Sequence, residues 1–118
     1  MKLFAWFFCL SLLVVSYPPA FAADQKVTGE ITRIFTGHEK DLFGVHIGAP
    51  QINPSGNPDC NQPGYATDSD QPGYRTFYAA VLLAFTMRAT VEVVVDDEGC
   101  VAGRPKLIGV NILGCNTC

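Results

Sequence analysis

The sequence predicts an α+β domain: a small OB-like curved sheet, or partly open barrel, of about five strands packed on one helix. Three observations predict it. Two segments rich in β-branched residues come first. A long Pro- and Gly-rich stretch and then one apolar run of helical length follow, and two further β-rich segments end the chain.

Residues 26–35 alternate, with Val27, Gly29, Ile31, Arg33 and Phe35 on one face and Thr28, Glu30, Thr32 and Ile34 on the other. Both faces carry β-branched residues, which marks a strand partly buried on each side. Residues 37–41 form a polar turn. Residues 42–48 alternate again, placing Phe43, Val45 and Ile47 together and His46 opposite, so the two segments read as an antiparallel hairpin. Residues 49–73 contain Pro50, Pro54, Pro58, Pro63 and Pro72 and are mostly irregular, with a short third strand expected near 60–66. A loop of this length inside a small domain is usually functional or mobile. Within it Gln62-Pro63-Gly64-Tyr65 recurs as Gln71-Pro72-Gly73-Tyr74. Each Pro-Gly turn aims a tyrosine, either down onto the core or out towards a ligand, and Tyr65 and Tyr74 are the candidate binding residues.

Residues 75–88 are the one helix. Phe77, Ala80, Val81 and Ala84 form a stripe with Tyr78, Leu82 and Phe85 beside it. With almost no polar face, this helix is expected to be largely buried. Residues 90–95 form a strand with Val91, Val93 and Val95 inward. Asp96, Asp97, Glu98 and Gly99 form a turn, and residues 105–113 form the last strand. An OB-type barrel usually carries its helix between the third and fourth strands, which is where this one falls.

Residues 1–22 read as a cleavable signal peptide. Lys2 is followed by an apolar run of about 13 residues, too short to span a bilayer, and Pro18 and Pro19 break it before Ala20-Phe21-Ala22. The domain is then residues 23–118. Without Lys2, its seven Lys and Arg stand against 11 Asp and Glu, a net of −4. That balance argues against nucleic acid and against stable membrane association as modes of action. Four cysteines remain, an even number in an exported chain, and loop geometry favours Cys60 with Cys100 and Cys115 with Cys118.

The constellations that could carry chemistry are weak. Cys115-Asn116-Thr117-Cys118 follows a strand and has no helix N-terminus to lower a thiol pKa, so a structural bridge is expected rather than a redox site. The four cysteines offer one close pair, where structural zinc sites typically use two. His38, Glu39, Asp41 and His46 flank the first turn and hold donors suited to a transition metal. The acidic turn at 96–98 lacks EF-hand spacing. The mature chain has only Ser55 and Ser69 as serines, neither in a nucleophile-elbow setting, and no phosphate loop or dinucleotide fingerprint. An enzyme is not expected, and no cofactor is.

Residues 75–95 (RTFYAAVLLAFTMRATVEVVV), then 103–112 (GRPKLIGVNI), a closing GCNTC and an opening VTGEITRIFTG resemble the B subunit of subtilase cytotoxin and related small exported bacterial proteins. The resemblance covers most of residues 26–118. It implies an OB-type fold and, in the toxin members, ring-shaped pentamers that bind sialylated glycans. The serine-containing stretch of the toxin's first strand has no counterpart, since residues 26–29 read Lys-Val-Thr-Gly.

The expected function is a non-catalytic binding or assembly module, secreted or periplasmic, that recognises a glycan or protein partner in the manner of toxin B subunits and forms a homo-oligomer. The runner-up is a small periplasmic metal-binding or stress protein using the histidine-acid hairpin. The mature chain is predicted to begin at Ala23. N-terminal sequencing of the exported protein checks this, and an intact Met1 on membrane-retained material refutes it.

Overall fold

The β-branched segments become strands, and they close on one another. In a computed structural model of the chain, residues 25–38 and 40–115 are described. The signal-peptide segment and Cys118, with its expected bridge to Cys115, lie outside them. The order is β1 (Gln25–Thr36), β2 (Leu42–Ile47), β3 (Tyr65–Asp68), α1 (Tyr74–Met87), β4 (Ala89–Val101) and β5 (Arg104–Cys115). The strands form a closed barrel in the order β1-β2-β3-β5-β4, antiparallel throughout except for β3 beside β5. This is the small α+β fold of five strands and one helix that the sequence predicts.

Strand β1 serves two neighbours. Its first half pairs with β4, from Gln25↔Val95 to Glu30↔Thr90, and its second half pairs with β2, from Ile31↔Ile47 to Thr36↔Phe43. A bulge between Ile31 and Arg33 separates the halves. Because the side-chain period is two, one extra residue reverses the faces. Val27 and Ile31 point into the core before the bulge, and Ile34 packs against it afterwards. The single alternation expected along residues 26–35 is therefore corrected: Arg33 and Phe35 turn outward.

The core is built from Phe43 and Val45 of β2, Tyr65 of β3, Val91, Val93 and Val95 of β4, and Leu107 of β5. The inward valines of β4 and the apolar face of β2 stand as the sequence predicts. α1 packs against β1, β4 and β5 and adds Val81 and Ala84. It starts after Gly73, whose positive φ of 82° suits glycine, and it stops at Arg88, whose N–H reaches back to the Ala84 and Phe85 carbonyls.

Two expectations are corrected here. First, α1 is not largely buried: only Val81 and Ala84 are fully enclosed, while Leu82 is 42 % and Leu83 53 % exposed. A small barrel covers one narrow stripe of a helix, and the rest of the apolar surface has nothing within the described chain to lie on. Second, the acidic segment 96–99 does not reverse the chain. It is an excursion of β4 between the pairs Val95↔Leu107 and Cys100↔Pro105. The reversal comes at Ala102-Gly103, with φ of 49° and 73°, the two positive values that a tight type I′ hairpin turn requires.

Cys60 and Cys100 form a disulfide, with Cα atoms 5.6 Å apart, as the sequence predicts. It fastens the loop before β3 to the end of the β4 excursion. Closing a loop of this length typically stabilises a domain by about 2–4 kcal/mol. No described helix is long and apolar enough to cross a membrane.

Leu107 is fully buried, so Leu107→Ala is expected to cost about 2–5 kcal/mol, whereas Leu82→Ala is expected to change stability by no more than about 0.5 kcal/mol in the isolated protomer. Denaturant unfolding of both variants checks the contrast. Equal losses would place Leu82 inside.

Candidate functional site

The long loop is tied down by its own polar groups. The Gln51 side chain donates through Nε2 to the Gln62 carbonyl at 2.9 Å and accepts from the Gly64 N–H at 2.6 Å. Asn53, Ser55 and Asn57 bond among themselves: the Ser55 hydroxyl donates to Asn53 Oδ1 at 2.8 Å and accepts from the Asn57 N–H at 3.1 Å. Ser55 thus serves as a loop brace, the kind of local bond for which Ser and Asn are favoured in turns.

The two tyrosines of the repeated tetrapeptide have different fates. Tyr65 is 1 % exposed. It is the first residue of β3, pairs with Val45, and sits on the inward side of the pleat. Its hydroxyl accepts the Ile52 N–H at 3.0 Å, so it holds the loop from beneath. Burial raises the Tyr65 pKa, partly opposed by that hydrogen bond. The structure thus places Tyr65 in the core and not on the surface where a ligand contact is expected from the sequence.

Tyr74 opens α1 and remains half-buried. Its ring lies 5.3 Å from that of Phe43, and its hydroxyl donates to Asp41 Oδ1 at 2.8 Å. Two shallow recesses flank it, of about 350 Å³ towards Gly37, Lys40 and Tyr78 and about 330 Å³ towards Ser69, Gln71 and Thr76. Burial, the hydrogen bond to Asp41 and the negative charge of that carboxylate push the Tyr74 pKa up to about 12.

A second surface lies on the outer side of β1 and β2, where His46 is joined by Arg33 and Phe35, which the sequence alternation aligns with Val27 and Ile31. Gly44, opposite Phe35, has no room for a side chain: a Cβ there would overlap the Phe35 ring. The ring lies over the glycine. The Arg104 guanidinium sits 4.5 Å over the ring centroid, and the His46 ring meets Phe35 edge-on at 5.7 Å. Arg104 is braced by Nε to the Pro63 carbonyl and Nη1 to the Ala102 carbonyl, both at 2.9 Å. Arg33 stands directly across the strands from His46. The one signal for this face in the sequence is Gly44 itself, a glycine inside an apolar strand, the usual sign of a close approach from outside.

A third surface is apolar. Outward-facing Thr76, Ala79, Leu82, Leu83, Thr86 and Met87 give α1 an exposed side with no charged residue between Arg75 and Arg88. Ile112 and Leu113, the latter 55 % exposed, add to the apolar surface at the end of β5, where Cys115 pairs with Ala89 at the exit of the helix.

The metal-binding alternative gains no site. Among the described residues no group of three or more His, Cys, Asp or Glu is placed to hold an ion. His46 faces arginines rather than carboxylates, and Glu39 lies outside the described residues. Asp96 accepts the Glu98 N–H at 3.3 Å within the β4 excursion. No family model, curated protein or solved structure matches the chain.

Tyr74 gives a spectroscopic check. A folded-state pKa above the ordinary tyrosine value favours the neutral phenol, so its contribution to stability is present below about pH 10 and is lost as pH rises towards 12. Phenolate absorbance is expected to show late titration of both Tyr65 and Tyr74, with only the Tyr74 step moved to lower pH by Asp41→Asn. An Asp41→Asn titration identical to that of the parent would deny the hydrogen bond.

Proposed function

We propose that the protein is a non-catalytic exported binding module that assembles with copies of itself through the exposed side of α1. The observation that carries this is the helix's uncharged outer face. A solvated helix normally carries charged or polar residues on its outer side, and a contiguous exposed apolar surface marks an interaction site. The apolar end of β5 lies at the exit of this helix, where Cys115 pairs with Ala89 and its sulfur lies 3.3 Å from the Met87 carbonyl.

Three further points support the reading. The strand order β1-β2-β3-β5-β4, with the helix between the third and fourth strands, fits the OB-type barrel that the resemblance to toxin B subunits implies. The Cys60–Cys100 disulfide is compatible with an oxidising compartment, either the periplasm or the medium. The loop is held by a disulfide and hydrogen bonds, and rigid scaffolds with fixed loops suit recognition. The recognised partner is a glycan or a protein, with Tyr74 at the edge of its recesses as the remaining candidate contact from the repeat.

Sedimentation velocity on the mature chain checks the assembly. The parent is expected to be oligomeric. Leu83→Glu, which adds a charge at an exposed position, is expected to give a folded monomer with an unchanged melting temperature. A parent that is already monomeric at every accessible concentration would overturn the proposal.

A further inference from the structure

We propose that Arg33, His46 and Arg104 form a binding subsite for a single oxyanion, the carboxylate, sulfate or phosphate group of an external ligand, on the outer face of β1 and β2. The face contributes no α1 residue, so this proposal stands or falls separately from self-assembly.

The case begins with unspent hydrogen-bonding capacity. Arg104 uses Nε and Nη1 on backbone carbonyls, which fixes its plane over Phe35 and leaves Nη2 with no acceptor among the described residues. Arg33 is exposed and has no ion-pair partner there, the one salt bridge described being Lys26 with Glu92. Neither ring nitrogen of His46 has a hydrogen-bond partner among the described residues, although the ring is half-buried against Gly64. Three nitrogen-bearing side chains thus converge on one patch with donors free, on a protein whose net charge is negative.

The charges around the imidazole are one-sided. From β1 it faces Arg33, and from β5 Arg104, with Lys106 further along the same strand. β3 offers Ala66 on this side, and Asp68 at its far end acts on Tyr74 instead. Glu30 lies before the bulge, opposite β4. Burial first, and then Arg33 and Arg104, hold the His46 pKa below its ordinary value. Among the described residues no carboxylate acts on the imidazole against them. Cations brought together without an internal counter-charge are the arrangement that an external oxyanion relieves.

The chemistry selects an oxyanion. A planar guanidinium matches the spacing of oxygens on carboxylate, sulfate and phosphate, and charge-assisted bonds of this kind are the strong ones. Nucleic acid fits less well. Its binders need exposed rings for base stacking and a run of cations along the backbone, whereas here Arg104 covers the Phe35 ring.

The test is a nuclear magnetic resonance titration of the labelled mature chain with sodium sulfate, sodium phosphate and sodium glucuronate, each at constant ionic strength against chloride. At least one oxyanion is expected to shift the His46 imidazole and Arg104 side-chain resonances saturably. Glucuronate alone would identify a sugar carboxylate, and sulfate or phosphate an ester group. Binding is expected to tighten as pH falls through the His46 pKa, because the imidazolium adds a charge and a donor, and the bound anion is expected to raise that pKa. Arg33 has no hydrogen-bond or ion-pair partner among the described residues, so Arg33→Gln is expected to leave the fold intact and to weaken binding by about tenfold. Shifts that are linear and equal to those of chloride would overturn the proposal, as would an Arg33→Gln variant that binds like the parent.

Discussion

One strand has to belong to two sheets for this barrel to close, and the bulge at Ile31–Arg33 is what permits it. Gln25–Glu30 of β1 must follow β4, while Ile31–Thr36 must follow β2. A straight strand with one unbroken alternation would keep one face inward along its whole length, and the sheet would stay open. The extra residue bends and twists the strand, as bulges do at barrel corners. It also changes which side chains face out. Arg33 and Phe35 reach the surface only because the count slipped by one, and Phe35 needs Gly44 across from it because its ring must lie on the neighbouring strand. Closure, the glycine in β2 and the cationic outer face are therefore consequences of one backbone feature.

The loop before β3 is fixed by contacts from several directions. The disulfide to Cys100 holds it at one point, the Gln51 side chain bridges it internally, and the Tyr65 hydroxyl accepts the Ile52 N–H from below. Arg104 binds the Pro63 carbonyl from the far strand. Each of these limits the conformational freedom that a ligand would otherwise have to remove. Arg104 is the point where this matters most, since the bond that steadies the loop also orients the guanidinium over Phe35. The same side chain ties scaffold to outer face.

The element order, the hairpin of β1 and β2, the inward valines of β4 and the Cys60–Cys100 pair were legible because each rests on local pattern or on simple loop geometry. The rest failed for physical reasons that can be named. A bulge leaves no strong mark in one sequence, so Arg33 and Phe35 read as continuing the face of Val27 and Ile31. An apolar helix looks the same whether it is covered by its own chain or by another molecule, so Leu82 and Leu83 read as core. The repeated Gln-Pro-Gly-Tyr carried no information about direction. Tyr65 begins a strand whose pleat sends it inward, whereas Tyr74 begins a helix at the edge of the barrel. The aspartates and glycine at 96–99 did mark an irregularity, but buried Val101 beyond them kept β4 running to a later turn.

The two proposed surfaces also gain from each other. A subsite built on two guanidiniums and one imidazole at a surface is wet and competes with salt, so one copy alone binds an oxyanion weakly. Self-assembly through α1 changes that arithmetic without any new contact. The α1 face carries no residue of the cationic patch, so an interface built on that face does not itself use the Arg33, His46 and Arg104 donors. A ligand that bears its anionic groups repeatedly, as a glycan chain or a crowded surface does, then meets several subsites on one body. Where the spacing allows simultaneous engagement, avidity exceeds single-site affinity by a factor of about 10²–10⁴. On the proposed reading, the uncharged helix face and the arginines that no described carboxylate pairs with would both serve multivalent attachment.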